Sequence, residues 1–248
     1  MSYIRLNDSF FSHAAAKAAK TLLCVSAFAL TACGGGADSS AQSTNSASAN
    51  EATSEFERAD DYASGSTDAA VTVVEYASVV CGHCANWHGG VYPEFKKKYI
   101  DTGKVRYVFR SFPTAPAELA DAGHMIAMCA GEENYFKNIK LQFDRQRQIF
   151  DAADKGQARE AYVSLAKASG LSEDEFIACI QNKEIREKYE ATVQSGYDLG
   201  VTGTPSFFIN GEKQKVYDLE SIEAVILPLL GEPIPEKAEE PEAEKVEE

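Results

Sequence analysis

The sequence predicts an α/β protein: a mixed sheet whose two halves are separated by a helical insertion. Three observations carry this. Residues 71–77, VTVVEYA, are a β-branched run leading into a Cys-x-x-Cys motif at 81–84 and a helix-like stretch to about Ile100. Residues 206–209, SFFI, form a second apolar strand followed by Asn210-Gly211, a hairpin-turn dipeptide. Between them, residues 116–200 hold no strand-like run and repeat apolar residues at helical spacing.

Composition bounds the function. The chain has 248 residues, is 44% hydrophobic and 25% charged, and carries a net charge of -14. That is ordinary for a globular protein and too apolar for a disordered one. So acidic a chain lacks the basic surface that nucleic acid requires, or that docking on anionic lipid by charge requires. Residues 57–230 carry only -7, whereas the tail 231–248, with eight Glu and two Lys, carries -6 and has almost nothing to bury. We read 231–248 as a disordered acidic tail.

The front end has the form of an export signal. Three basic residues fall within 1–20, and TLLCVSAFAL at 21–30 is too short to span a membrane but fits a signal core. Leu30-Thr31-Ala32-Cys33 then resembles the bacterial lipobox, in which the cysteine becomes the lipidated first residue. On that reading 1–32 is a lipoprotein-type signal peptide, Cys33 is the lipidation site, and Gly34 points toward the outer membrane. An ordinary signal with an incidental Cys33 is the alternative. Residues 33–56 then read as a flexible tether, because their Gly/Ser/Ala/Asn-rich run has no hydrophobic periodicity.

The strand 71–77 delivers Cys81 to a helix start, where unpaired amides and the helix dipole stabilise a thiolate. His83 between the cysteines can add charge or a hydrogen bond to the same sulfur. Zinc needs four ligands, and no second Cys-x-x-Cys or His-x-x-x-His is present. A purely structural bridge across so short a loop would remove little chain entropy. We therefore expect a redox pair, with no metal and no cofactor. Glu75 either faces water at a strand edge or is a buried acid able to take the proton of Cys84.

Downstream, Gly203-Thr204-Pro205 opens the strand 206–209, where a proline is tolerated because no ladder donor is needed. Leu171-Ser172-Glu173-Asp174-Glu175-Phe176 is a capping box with a hydrophobic staple, so a helix starts there. Leu119, Ala122, Ile126 and Cys129 share one helix face, as do Phe176, Cys179 and Ile180. Buried free thiols are one reading of Cys129 and Cys179. In an oxidising compartment two cysteines in one helical domain instead pair as a structural disulfide.

Strand, CxxC at a helix start, acid in the strand and a late Thr-Pro before a hairpin together resemble the thioredoxin fold. VTVVEYASVVCGHCANWH and GVTGTPSFFING are more closely similar to the DsbA family of exported thiol–disulfide oxidoreductases, over roughly residues 60–230. The resemblance implies a thioredoxin fold with an inserted helical domain: 57–115 and 201–230 would be its two parts, and 116–200 the insertion. It implies Cys81 as the attacking cysteine, Cys84 as the resolving one, Glu75 as the buried acid and Thr204-Pro205 as a cis-proline loop pairing with substrate backbone. Partners by the same resemblance are reduced or misfolded cysteine-containing exported proteins and a membrane quinone-linked thiol oxidase. The chain would act as a lipid-anchored periplasmic monomer.

Two positions depart from the family's strongest oxidases. The dipeptide between the cysteines is Gly-His rather than Pro-His, and Thr204 precedes the proline; both look more like isomerases. Isomerase or reductase activity on the same fold is therefore an alternative, although a tether stands where a bacterial isomerase has its dimerisation domain. From another class, the domain could serve a surface lipoprotein as a binding module.

Overall fold

The structure, a computed structural model, describes residues 56–235. The signal segment, Cys33 and the tether to residue 55 lie outside the described residues, as does the tail beyond 235. No helix among the described residues is long and apolar enough to cross a membrane.

Five strands form one sheet in the order β1-β3-β2-β4-β5. The centre is β2 (Val71–Ala77), buried along its whole length, which is why its sequence is almost continuously apolar. It runs parallel to β3 (Val105–Ser111) and antiparallel to β4 (Ser206–Ile209). The edges are β1 (Tyr62–Ser64), antiparallel to β3, and β5 (Glu212–Gln214), joined to β4 by a hairpin. Asn210 and Gly211 take φ of 46° and 81° in that turn, the left-handed pair such a two-residue hairpin demands. The Asn210 side chain also accepts the Thr72 N–H at 2.8 Å, tying the turn to the start of β2.

After β2 come α1 (Gly82–Gly90), the short α2 (Tyr92–Phe95) and a π-helical turn, Lys96–Ile100. The sequence suggested one helix here. It breaks at Val91, just after Gly89-Gly90, and restarts with Pro93 in the first turn of α2, where its missing N–H costs nothing.

Six helices fill the stretch between the sheet halves: α3 (Ala117–Cys129), α4 (Glu132–Asp144), α5 (Gln146–Asp154), α6 (Ala158–Ala168), α7 (Glu173–Ile180) and α8 (Lys183–Asp198). The capping box at Ser172 and Glu175 is formed as expected. The last helix, α9 (Leu219–Leu229), starts on a second box between Asp218 and Ser221.

The sheet buries both faces. On one, Val74, Tyr76, Val108 and Phe208 pack with Phe112 and Val201. Here α8 comes so close that a Cβ on Gly196 would sit 2.6 Å from the Phe112 ring. On the other, Tyr107 and Phe207 meet Trp87 of α1, while Phe109 meets His88. Glu75 lies on this second face, opposite Phe109 and Phe207 in the ladder.

Sequence reading missed β1 and β3. Arg106 and Arg110 break the apolar run of β3 and suggest a solvated segment, yet both are buried. Arg106 holds Glu57 through Nε at 3.1 Å and Nη2 at 2.9 Å. Arg110 holds Asp61 through Nε at 2.9 Å and Nη2 at 2.6 Å, and donates to the Tyr76 hydroxyl at 2.9 Å. Paired bidentately, the charges are compensated inside the fold.

Candidate active site

Cys81 is the N-cap of α1, with extended backbone at φ -80° and ψ 123°. Its sulfur accepts the Cys84 N–H at 3.4 Å and, as a thiol, reaches the Thr204 carbonyl at 3.3 Å. Cys81 is part-exposed, whereas Cys84 is buried, and both are free thiols here. This difference in exposure separates their chemistry. The Cys84 side chain, hydrogen-bonded to Cys81, does most to hold the Cys81 thiol down to about 5. Burial opposes it, while Thr204 and the backbone amides of Cys84 and His83 assist. Cys84 moves the other way: burial pushes its thiol well up, with added repulsion from Glu75 and Cys81.

The His83 ring is exposed, so its contribution to the Cys81 sulfur comes through the backbone amide. Thr204-Pro205 is a cis peptide beside Cys81, an isomer that one sequence could not reveal; Ala115-Pro116 is also cis. A groove of about 750 Å³ opens next to the sulfur, lined by His83, Trp87, Thr204, Pro205, Lys213 and Tyr217 among others.

Glu75 is fully buried, not facing water. Its Oε2 accepts from the Tyr107 hydroxyl and lies 3.1 Å from His88 Nε2. Its Oε1 has no hydrogen-bond partner among the described residues. Cys129 and Cys179 are joined by a disulfide that ties the end of α3 to α7.

Three residues at the site escaped sequence reading. His88 lies four residues after Cys84, which puts both on one helix face and was the signal available for it. Tyr107 lies on the unrecognised β3. Gln146, at the start of α5, donates its amide to the Val79 carbonyl at 2.9 Å and the Cys81 carbonyl at 3.1 Å. No local spacing links it to the motif 65 residues earlier.

A mixed sheet that places one activated and one buried cysteine at a helix start, against a cis-proline loop, defines a thioredoxin-fold protein of the thiol–disulfide exchange class. The comparisons narrow the class. A family model described as Thioredoxin matches residues 57–227, and alpha-DsbA1 of Wolbachia pipientis superposes with a TM-score of 0.64 at 31% identity, covering 71% of this chain and 94% of that one. The chain belongs to the thioredoxin family, in its DsbA-like branch. Oxidised BdbD from Bacillus subtilis, at TM-score 0.62 and 16% identity over 72% of this chain and 97% of its own, shares the fold. A Rickettsia bellii protein, provisionally named a protein-disulfide oxidoreductase, is 34% identical over 163 residues, which is 65% of this chain and 61% of that protein. The chain thus spans about six-tenths of the length of that relative.

Proposed function

We propose that the protein is an exported, lipid-anchored thiol–disulfide oxidoreductase that donates its Cys81–Cys84 disulfide to folding proteins. The observation that carries this is the asymmetry of the two thiols beside the cis-proline loop. A substrate thiolate attacks Cys81 Sγ, and the Cys81–Cys84 bond breaks with its electron pair leaving on Cys84. The buried Cys84 takes one proton, which we assign to pass through Glu75, the carboxylate whose charge acts on the same thiol. A second substrate thiolate then attacks the substrate sulfur of the mixed disulfide and releases Cys81 as the stabilised thiolate. The substrate gains a disulfide and the protein holds two electrons, which a membrane quinone-linked thiol oxidase would remove. Thr204 and Pro205 border the groove where an extended substrate segment would lie. The names of the relatives support the reaction class; Cys33 and the run before it support the anchor.

Equilibration with glutathione buffers, read by thiol trapping, tests the direction of transfer. The donor reading expects a potential well above the roughly -270 mV of thioredoxin, with transfer abolished in Cys81→Ala. A value at or below that figure would make the protein a reductant. Persistent reduction in the cell would favour an isomerase, as the Gly-His dipeptide suggests.

A further inference from the structure

Glu75 can serve Cys84 repeatedly only if its own proton has an outlet. Its side chain is 0% exposed, so it cannot exchange with water directly. Among the described residues two groups hydrogen-bond to it. Burial and the Glu75 charge hold the Tyr107 hydroxyl well above its ordinary value, so Tyr107 keeps its proton and fixes the carboxylate in place. The other is His88, with Nε2 at 3.1 Å from Oε2 and a side chain 7% exposed. Imidazole exchanges protons near neutral pH, and this ring joins the sealed carboxyl to the surface.

We propose that His88 is the outer member of a Cys84–Glu75–His88 proton relay that serves the resolving cysteine. The proposal rests on the exchange chemistry assigned above and adds the path of its proton. When Cys84 leaves as a thiolate, the His88 imidazolium passes its Nε2 proton to the Glu75 carboxylate, which hands it on to Cys84. Glu75 is then a carboxylate again, and the ring regains a proton from water. One proton enters and no electrons move along the path. When Cys84 is oxidised again the sequence runs in reverse.

The surroundings isolate this route. The His88 ring stacks on Phe143 of α4 with centroids 4.3 Å apart and is flanked by Trp87 on its own helix and Phe109 on β3. The titratable groups around it are Glu75 on β2, Tyr107 on β3 and Tyr92 on α2, whose centroid lies 4.9 Å away. Burial raises both tyrosines, which therefore keep their protons, and the Glu75–His88 hydrogen bond remains as the link from the carboxyl outward.

The test is ring closure from a Cys81–glutathione mixed disulfide, followed from pH 5 to 8 by rapid quench in the full folded domain. His88→Gln can keep a hydrogen bond to Glu75 but cannot relay. It should slow closure about a hundredfold, the lower end of what a positioned proton carrier contributes. Alkylation of Cys81 should be unchanged. Glu75→Gln/His88→Gln should be no slower than Glu75→Gln alone, because the two act in series. Added imidazole should accelerate His88→Gly, which also supplies a readout should His88→Gln fold poorly. Wild-type closure rates in His88→Gln, additive losses in the double variant or an equal loss of Cys81 alkylation would each overturn the relay. Closure needs no protein substrate, so a wild type that fails to oxidise proteins would sink the donor reading and leave this measurement standing.

Discussion

A half-buried sulfur that caps a helix and a sulfur sealed one turn further on respond to pH in opposite senses. Cys81 is held down to about 5, whereas burial raises Cys84. In the reduced protein, ionisation of Cys81 therefore stabilises the fold fully above the ordinary thiol range near 9. That contribution shrinks as pH falls and is gone below about 5. At pH 7 it amounts to roughly 2 kcal/mol after allowance for solvent screening, or about 40 mV on a two-electron couple. Iodoacetamide should modify Cys81 with a midpoint near 5 and leave Cys84 untouched to pH 8. Cys81→Ser should remove this part of the pH dependence of melting in the reduced protein and leave the part that His124 contributes below pH 6.5. The two cysteines, Glu75 and Pro205 were legible in the sequence because they lie within short motifs of fixed spacing. Tyr107 and Gln146 reach the site from other elements, and no local pattern encodes those meetings.

At the scale of elements, β2, the strand 206–209 with its Asn210-Gly211 turn and the start of α7 were legible, since each pairs a largely apolar stretch with a turn dipeptide, a motif or a cap. The strand β3 was not, because its two arginines resemble solvent-facing positions until the acids that neutralise them come from residues 57 and 61. These pairs strap the segment before β1 onto β3. Arg110→Met would leave Asp61 charged and uncompensated in the interior, and should cost about 3–5 kcal/mol in urea unfolding. Adding Asp61→Leu to Arg110→Met should recover much of that loss, because a matched apolar pair removes the stranded charge.

Across the whole molecule, half of the net charge lies outside residues 57–230, and the folded body is held together by a buried interface between sheet and insertion. His124 of α3 sits in that interface beside Phe109 and Tyr189, with neither ring nitrogen hydrogen-bonded among the described residues. Burial pushes its pKa down to about 3, from an ordinary 6.5. The unfolded chain takes up this proton below 6.5 and the native one does not, so stability falls as pH drops from 6.5 toward 3. Between pH 7 and pH 4 the wild type should lose about 3 kcal/mol more than His124→Leu, read from urea midpoints at each pH.

Gln146 clamps the insertion onto the motif. Its amide occupies the carbonyls of Val79 and Cys81 on the side of the motif that faces the insertion. That flank has no free carbonyl at these two residues for an arriving chain to pair with. The flank beside Thr204 and Pro205 lies open along the groove. In the proposed exchange, a guest chain would therefore meet Cys81 from the cis-proline side, with the insertion as the wall that gives the encounter its handedness.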